Sequence, residues 1–205
     1  MRVIVVGATG TIGSEVARAF DARDEVVRVG HSRGEFHVDL ENAKSIQDLY
    51  RAVGPFDALV SAAGQARFAP LEALTEEDFR FSLGHKLMGQ VDLVRIGLAT
   101  IRDRGSFTLT SGVLASEPVP GGTAISVVNA GVEAFARAAA LELPRGIRIN
   151  VVSPPWVSET LAAMGRDPSE GMPAREVAKA YVRSVEGGGS GEVLDARKFG
   201  SPAGR

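Results

Sequence analysis

The stretch Val5-Val6-Gly7-Ala8-Thr9-Gly10-Thr11-Ile12-Gly13 decides how the rest of the chain is read. Ahead of it, Val3 to Val6 form a β-branched apolar run that suits a buried strand. Behind it, Val16, Ala17, Ala19 and Phe20 recur at helical spacing. A strand, a tight glycine turn and a helix N-terminus in that order make an anion site. The unpaired first N–H groups of the helix and the positive end of its dipole face one point. Glycine is required where the backbone turns sharply and where a diphosphate has to come close. Gly7, Thr9, Gly10, Thr11, Ile12 and Gly13 are therefore the candidate phosphate-binding residues.

Outward from this loop, apolar runs and helical periodicities alternate to the end of the chain, the pattern of a parallel sheet covered on both faces. Strands are predicted at Arg2–Val6, Glu25–Val29, Phe36–Val38, Phe56–Val60, Ser106–Thr110, Ile147–Val152 and Glu192–Leu194. Helices are predicted at Ile12–Phe20, Ala43–Ala52, Glu76–Ile101, Thr123–Leu143 and Ala174–Val185. Thr75 before three acidic residues predicts a capped start for one long helix, and Gly146 a stop for the other. The segment 158–173 has weak periodicity with Gly165, Pro168, Gly171 and Pro173, and reads as a mobile loop after a strand end. Residues 187–191 read as a flexible turn, and the tail 199–205 as frayed. The fold class expected is α/β: one doubly wound Rossmann-type domain of about seven strands over residues 1–205.

Composition narrows the chemistry. The 205 residues are 44% hydrophobic and 23% charged, ordinary for a globular domain with a real core. A net charge of -2 without a basic run argues against nucleic acid or an anionic membrane as partner. Absence of cysteine excludes disulfides and thiolate chemistry, and three histidines without ligand spacing give no metal site. No run reaches membrane-spanning length and the chain opens on a strand, so a cytoplasmic protein is the expectation.

Several further segments resemble the short-chain dehydrogenase/reductase family over nearly the whole chain. Ser61-Ala62-Ala63-Gly64 is similar to that family's Asn-Asn-Ala-Gly segment, which implies Ala62, Ala63 and Gly64 beside the adenosine ribose. Asp39-Leu40 resembles the pair that meets the adenine ring. Gly146-Ile147-Arg148-Ile149-Asn150-Val151-Val152-Ser153-Pro154 is similar to the sixth strand and its exit. The resemblance implies that Pro154 and Val157 hold the nicotinamide carboxamide through backbone groups, with Trp156 beside it. It departs in three places. The glycines fall as GxxGxxG, as in extended and atypical members; the exit reads Pro154-Pro155; and the chain is shorter than classical members.

The family's Ser–Tyr–Lys set with a helper Asn is also missing. Ungapped alignment puts Ile125 at the tyrosine, Asn129 at the lysine, Gly112 at the serine with Ser111 one place early, and Lys86 at the helper asparagine. This resembles an atypical subgroup. Lysine and asparagine have in effect changed places. Lys86, Ser111 and Asn129 become the candidate catalytic residues, Lys86 as a desolvated acid with Asn129 as its hydrogen-bond partner. The open alternative is that Lys86 only fills a polar hole. His85 is expected to point about 100° away from its neighbour, as a helix of about 3.6 residues per turn requires, and to sit on a surface or interface. Tyr50 reads as packing, and Tyr181 as at most bordering the pocket.

The second strand ends Val29-Gly30-His31-Ser32-Arg33, without the acid that would bind a ribose 2′-hydroxyl. NADP is thus expected over NAD, with Ser32 and Arg33 on the 2′-phosphate. Two functions remain open: an NADP(H)-dependent oxidoreductase on a small carbonyl or alcohol, or a non-catalytic dinucleotide-binding sensor or partner subunit. The two long helices resemble those through which the family forms homodimers and homotetramers.

Overall fold

In the computed structural model, which describes residues 1–200, the apolar runs become seven parallel strands of one sheet. They are β1 (Arg2–Val6), β2 (Glu25–Gly30), β3 (Phe36–His37), β4 (Phe56–Ser61), β5 (Ile101–Thr110), β6 (Arg148–Ser153) and β7 (Val193–Asp195). Their order across the sheet is β3-β2-β1-β4-β5-β6-β7, every neighbouring pair parallel. The chain reverses direction of travel between β1 and β4, and at such a switch point the loops leaving the two strands diverge and open a crevice.

Alternation along each strand sends side chains to both faces, and both are covered. Ile4 and Val6 of β1 join the core under α2 (Ala43–Val53), α4 (Gly89–Gly97) and α5 (Thr123–Ala139). Val3 and Val5 join the core under α1 (Thr11–Asp21) and α7 (Ala174–Glu186). Strands buried on both faces read as continuous apolar runs, which is why β1 and β4 were plain in the sequence. Helix starts are fixed locally. Asn42 accepts from the amides of Lys44 and Ser45 at the start of α2. Thr75 and Asp78 form a reciprocal capping box at the start of α3 (Glu76–Ser82).

Three expectations change. The helix predicted over 76–101 is three pieces: α3, a wider π-helical segment at Leu83–Met88, and α4. It ends at Gly97, whose missing side chain makes room for the Tyr50 ring, and Ile101 instead pairs with Phe56 and is buried. Burial between sheet and helices outweighs the helical periodicity at that end. The helix predicted to Leu143 stops at Ala139, so Gly146 is not its cap. With φ of +68° Gly146 shapes the turn into β6 instead. The segment 158–173 holds a short helix α6 (Ser158–Ala163) and a bridge between Val157 and Met172. Buried Leu161 anchors α6, and the Glu159 carboxylate accepts from the Ala174 amide at 3.0 Å, capping α7. Of the tail, Phe199 packs on the α1/α7 core, and residues 201–205 lie outside the described region.

Both tyrosines are core residues. Tyr50 donates to the Leu93 carbonyl at 2.5 Å and stacks on Phe56. Tyr181 is fully buried and bonds the Thr110 hydroxyl at 2.6 Å; Thr110 in turn donates to the Ser61 carbonyl. Burial pushes both phenols far above their ordinary pKa. Tyr181→Phe is expected to cost about 1 kcal/mol, a drop of about 2–4 °C in Tm. Differential scanning calorimetry checks it; an unchanged Tm would mean the hydroxyl chain contributes nothing.

Candidate active site

The loop after β1 turns at Gly7, with φ of +85°, so sharply that a Cβ there would lie 2.6 Å from the Ala62 carbonyl oxygen. A Cβ on Gly13 would run into the Gly7 carbonyl, so α1 can close on the loop only without a side chain there. No side chain caps α1 at Gly10, and Thr11, Ile12 and Gly13 are its first amides. Beside this end opens a cleft of about 530 Å³. The β1 loop lines it with Gly7, Thr9 and Gly10, and the β4 exit with Ala62, Ala63 and Gly64. Asp39 and Leu40 close the β3 side, and His31 the β2 side.

Ser32 and Arg33 stand exposed just past His31 and are not part of the lining. Their loop folds back so that the Arg33 carbonyl occupies the space a Cβ on Gly30 would need. The Asp39 carboxylate accepts from the Glu41 amide at 3.0 Å, holding the β3 exit against the cleft.

The π-helical segment changes which side chains reach the site. Its wider turn lets neighbouring residues serve two adjoining spaces, and such turns are common at functional positions. His85, partly exposed, lines the cleft and accepts from the Gln65 amide through Nδ1 at 3.1 Å, so the surface it faces is that of the cleft. Lys86 enters the next space, a cavity of about 180 Å³ beyond Gly64. A Cβ on Gly64 would sit 3.0 Å from the Lys86 Cγ, so the lysine stem forms the wall between the two.

Lys86, Ser111 and Asn129 all line this cavity, with Ile125, Pro154, Trp156 and Val157 among the apolar remainder. Lys86 Nζ donates to the Ser111 carbonyl at 3.2 Å. Asn129 Nδ2 donates to the Gly112 carbonyl at 3.4 Å rather than meeting Lys86, so the expected Lys86–Asn129 bond is absent. The two side chains instead hold consecutive carbonyls of one turn. Asn129 Oδ1 is buried without a partner. The Ser111 hydroxyl donates to Glu133 Oε1 at 2.9 Å, so its proton is committed away from any substrate carbonyl. Desolvation lowers the Lys86 pKa from 10.5 to about 8.

Three contributors escaped the sequence reading. Glu133 binds Ser111 and pairs with Arg137, and Gln90 bonds Thr110 and Lys86. Phe68 meets Trp156 edge-on at 6.1 Å, with the Arg166 guanidinium 5.3 Å above the indole. A Glu or Gln on a helix carries no local signal of burial, and Phe68 lies in a loop without periodicity.

Comparison with known proteins agrees with this architecture. A family profile described as enoyl-(acyl carrier protein) reductase matches residues 11–186. Hydroxynaphthalene reductase arp2 of Aspergillus fumigatus is 28% identical over 154 residues, 73% of this chain and 56% of its own length. The 3-oxoacyl-[acyl-carrier-protein] reductase of Mus musculus is 30% identical over 115 residues, 55% of this chain and 49% of its own. The chain thus spans about half the length of these two relatives. Among solved structures, the protein lin1944 from Listeria innocua has a TM-score of 0.91 at 40% identity, covering 95% of this chain and 98% of that one. A small-chain dehydrogenase in complex with NADPH has a TM-score of 0.84 at 25% identity, with 95% of both chains covered. A seven-stranded parallel sheet in this order, a glycine loop at its switch point and a family match over most of its length lead to one conclusion. The chain belongs to the short-chain dehydrogenase/reductase family of NAD(P)-binding oxidoreductases.

Proposed function

We propose that this protein is an NADP(H)-dependent reductase of a small apolar carbonyl compound, in which Lys86 takes over the proton-handling role of the missing tyrosine. The observation that carries the reading is that Lys86, with its desolvated ammonium, and Asn129, with its unpartnered Oδ1, line one cavity beside the glycine-loop cleft. A dinucleotide fits the groups present. The uncapped α1 amides and the side-chain-free approach at Gly7, Gly10 and Gly13 suit a diphosphate. Ala62, Ala63, Gly64, Asp39 and Leu40 would hold the adenosine, and Ser32 and Arg33 the 2′-phosphate. Pro154 and Val157 would meet the nicotinamide. When bound, the cofactor supplies or takes up the hydride.

The chain's own residues then have separable tasks. The Lys86 ammonium, with a pKa of about 8, can donate to a carbonyl oxygen that gains negative charge near neutral pH. Asn129 Oδ1 accepts from a hydroxyl, of substrate or ribose. Apolar Ile125, Val113, Leu114 and Trp156 exclude water and suit a substrate without a second charge. The same reading has the chain pairing through the faces of the π-helical segment and α5, where Met88 and Val127 are about half-exposed.

A second reading, a non-catalytic dinucleotide-binding protein, draws on Ile125 at the tyrosine position and on the committed Ser111 proton. Trp156 is the single tryptophan and lines the cavity, so its fluorescence reports occupancy. Saturable quenching by NADPH, about tenfold tighter than by NADH, is the expected result, with Arg33→Ala bringing the two together. No response to either nucleotide would overturn the reading. Binding without turnover of any small ketone or aldehyde would favour the second.

Lys86 also makes a stability prediction. Its folded pKa lies below the unfolded value, so between about pH 8 and 10.5 the unfolded chain binds more protons and stability rises with pH. Below pH 8 the desolvated ammonium exerts its full destabilising effect. Lys86→Met is therefore expected to be more stable than wild type at pH 6–7, by about 1–2 kcal/mol after allowing for the partial exposure of the side chain. The advantage should shrink through pH 8–10 in urea titrations. A loss of stability at pH 7 with no pH trend would show that the ammonium is not desolvated.

A further inference from the structure

We infer that Gln90 is a positioning residue, a carboxamide that completes the end of β5 and thereby holds the Lys86 segment at the cavity. The inference rests on the reading that Lys86 acts there, and it extends that reading to a residue with no contact to the cavity.

The geometry begins with an unpaired strand end. β4 pairs with β5 only as far as Val60 opposite Thr108, and the chain after Ser61 turns away to bond Val6. Thr110 lies two residues further along and has lost its strand neighbour on that side. A buried backbone N–H and C=O cannot be left unpaired without a large loss of stability. Gln90, fully buried on α4, supplies both partners: the Thr110 amide donates to Oε1 at 2.8 Å, and Nε2 donates to the Thr110 carbonyl at 2.9 Å. The carboxamide therefore mimics one peptide unit of a neighbouring strand.

Its remaining bond reaches the site. Nε2 also donates to the Lys86 carbonyl at 3.2 Å. Lys86 is thus tied at both ends to one stretch of β5 backbone, its carbonyl through Gln90 to Thr110 and its ammonium directly to the Ser111 carbonyl. The rest of that turn is equally fixed. The Ser111 amide bonds Val152, the Ser111 hydroxyl bonds Glu133, and the Gly112 carbonyl bonds Asn129. Gln90 joins the backbone of the π-helical segment to that of β5, where the Lys86 ammonium adds only a side-chain link. Without it the segment can slide along β5 and carry Nζ out of the cavity.

The charged and titratable groups around Lys86 are few and already engaged. His85 on its own segment accepts from Gln65, and Glu133 on α5 is held by Ser111 and Arg137. Glu41 sits at Gly84, and the Tyr181 phenol lies beneath Thr110. The ionisation of Lys86 therefore reports its own depth of burial, and a shift in it reports displacement.

The chain has four lysines, Lys44, Lys86, Lys179 and Lys198, so NMR titration of protein carrying 13Cε-labelled lysine resolves each. In wild type one resonance should titrate near pH 8 and vanish in Lys86→Met. In Gln90→Met, which keeps the length and packing of the side chain but not its hydrogen bonds, that midpoint should rise by one unit or more towards 10.5. The other three should stay put. A midpoint that stays near 8 in a folded Gln90→Met would overturn the inference, because a residue that only adds stability would lower Tm without moving it. Should that variant not fold, wild type decides. The Gln90 side-chain amide resonance should shift with the same midpoint as Lys86 and stop doing so in Lys86→Met; an amide signal indifferent to that titration would equally overturn the inference. Both measurements use the chain without nucleotide, so they stand or fall separately from NADPH binding.

Discussion

The close approach of backbone at Gly7 is the constraint on which the nucleotide end of the molecule depends. Three chain segments converge there: the turn after β1, the exit of β4 through Ala62, and the first turn of α1 at Gly13. None of the contacts tolerates a side chain. Because the turn is tight, α1 starts directly after the end of β1, and its uncapped start at Gly10 borders the crevice that the strand order opens between β1 and β4. A looser turn would move the amides and fill the crevice with side chains. The position of the cleft thus follows from chain reversal at β1 and β4, and its chemistry from what the missing Cβ atoms leave open.

The neighbouring cavity arises from a different demand, the satisfaction of strand ends. Parallel strands of unequal length leave backbone groups unpaired where one neighbour stops first, and in a buried edge these must find side chains. At the end of β5 the amide and carbonyl of Thr110, the carbonyl and hydroxyl of Ser111 and the carbonyl of Gly112 are met by side chains of Gln90, Lys86, Glu133 and Asn129. Structural bonding and candidate chemistry therefore involve the same residues. That economy explains why Ser111, plausible as a substrate-orienting hydroxyl from sequence, is instead spent on Glu133.

The parallel sheet and the glycine turn after β1 were legible because their signals are local and repeated. β-branched runs buried on both faces have no polar residue to confuse them, and each glycine of the loop has its own steric reason. Boundaries that depend on tertiary contact were not legible. The end of α4 at Gly97 is set by the Tyr50 ring, which lies far away in sequence, and the helix in 158–173 is anchored by one buried leucine. The orientation of His85 and Lys86 was unreadable for a sharper reason. A hundred-degree step per residue is an assumption about α-geometry, and the π-helical turn breaks it. Lys86 and Asn129 line one cavity but do not bond each other, since which carbonyl a side chain reaches depends on where β5 runs out of partners.

What distinguishes this cavity is that it retains two groups that a chain shaped for stability alone would discard. A desolvated ammonium opposes folding below pH 8, and a buried amide oxygen without a partner forfeits a hydrogen bond. Each alone could be an accident of packing. They line one largely apolar cavity next to the glycine-loop cleft, and one is a donor and the other an acceptor. On the proposed reading a hydroxyl or carbonyl entering the cavity takes a hydrogen bond from Nζ. On that reading Ile125 offers no proton on α5, and the donor is Lys86, which lines the same cavity and is held by the bonding that finishes β5.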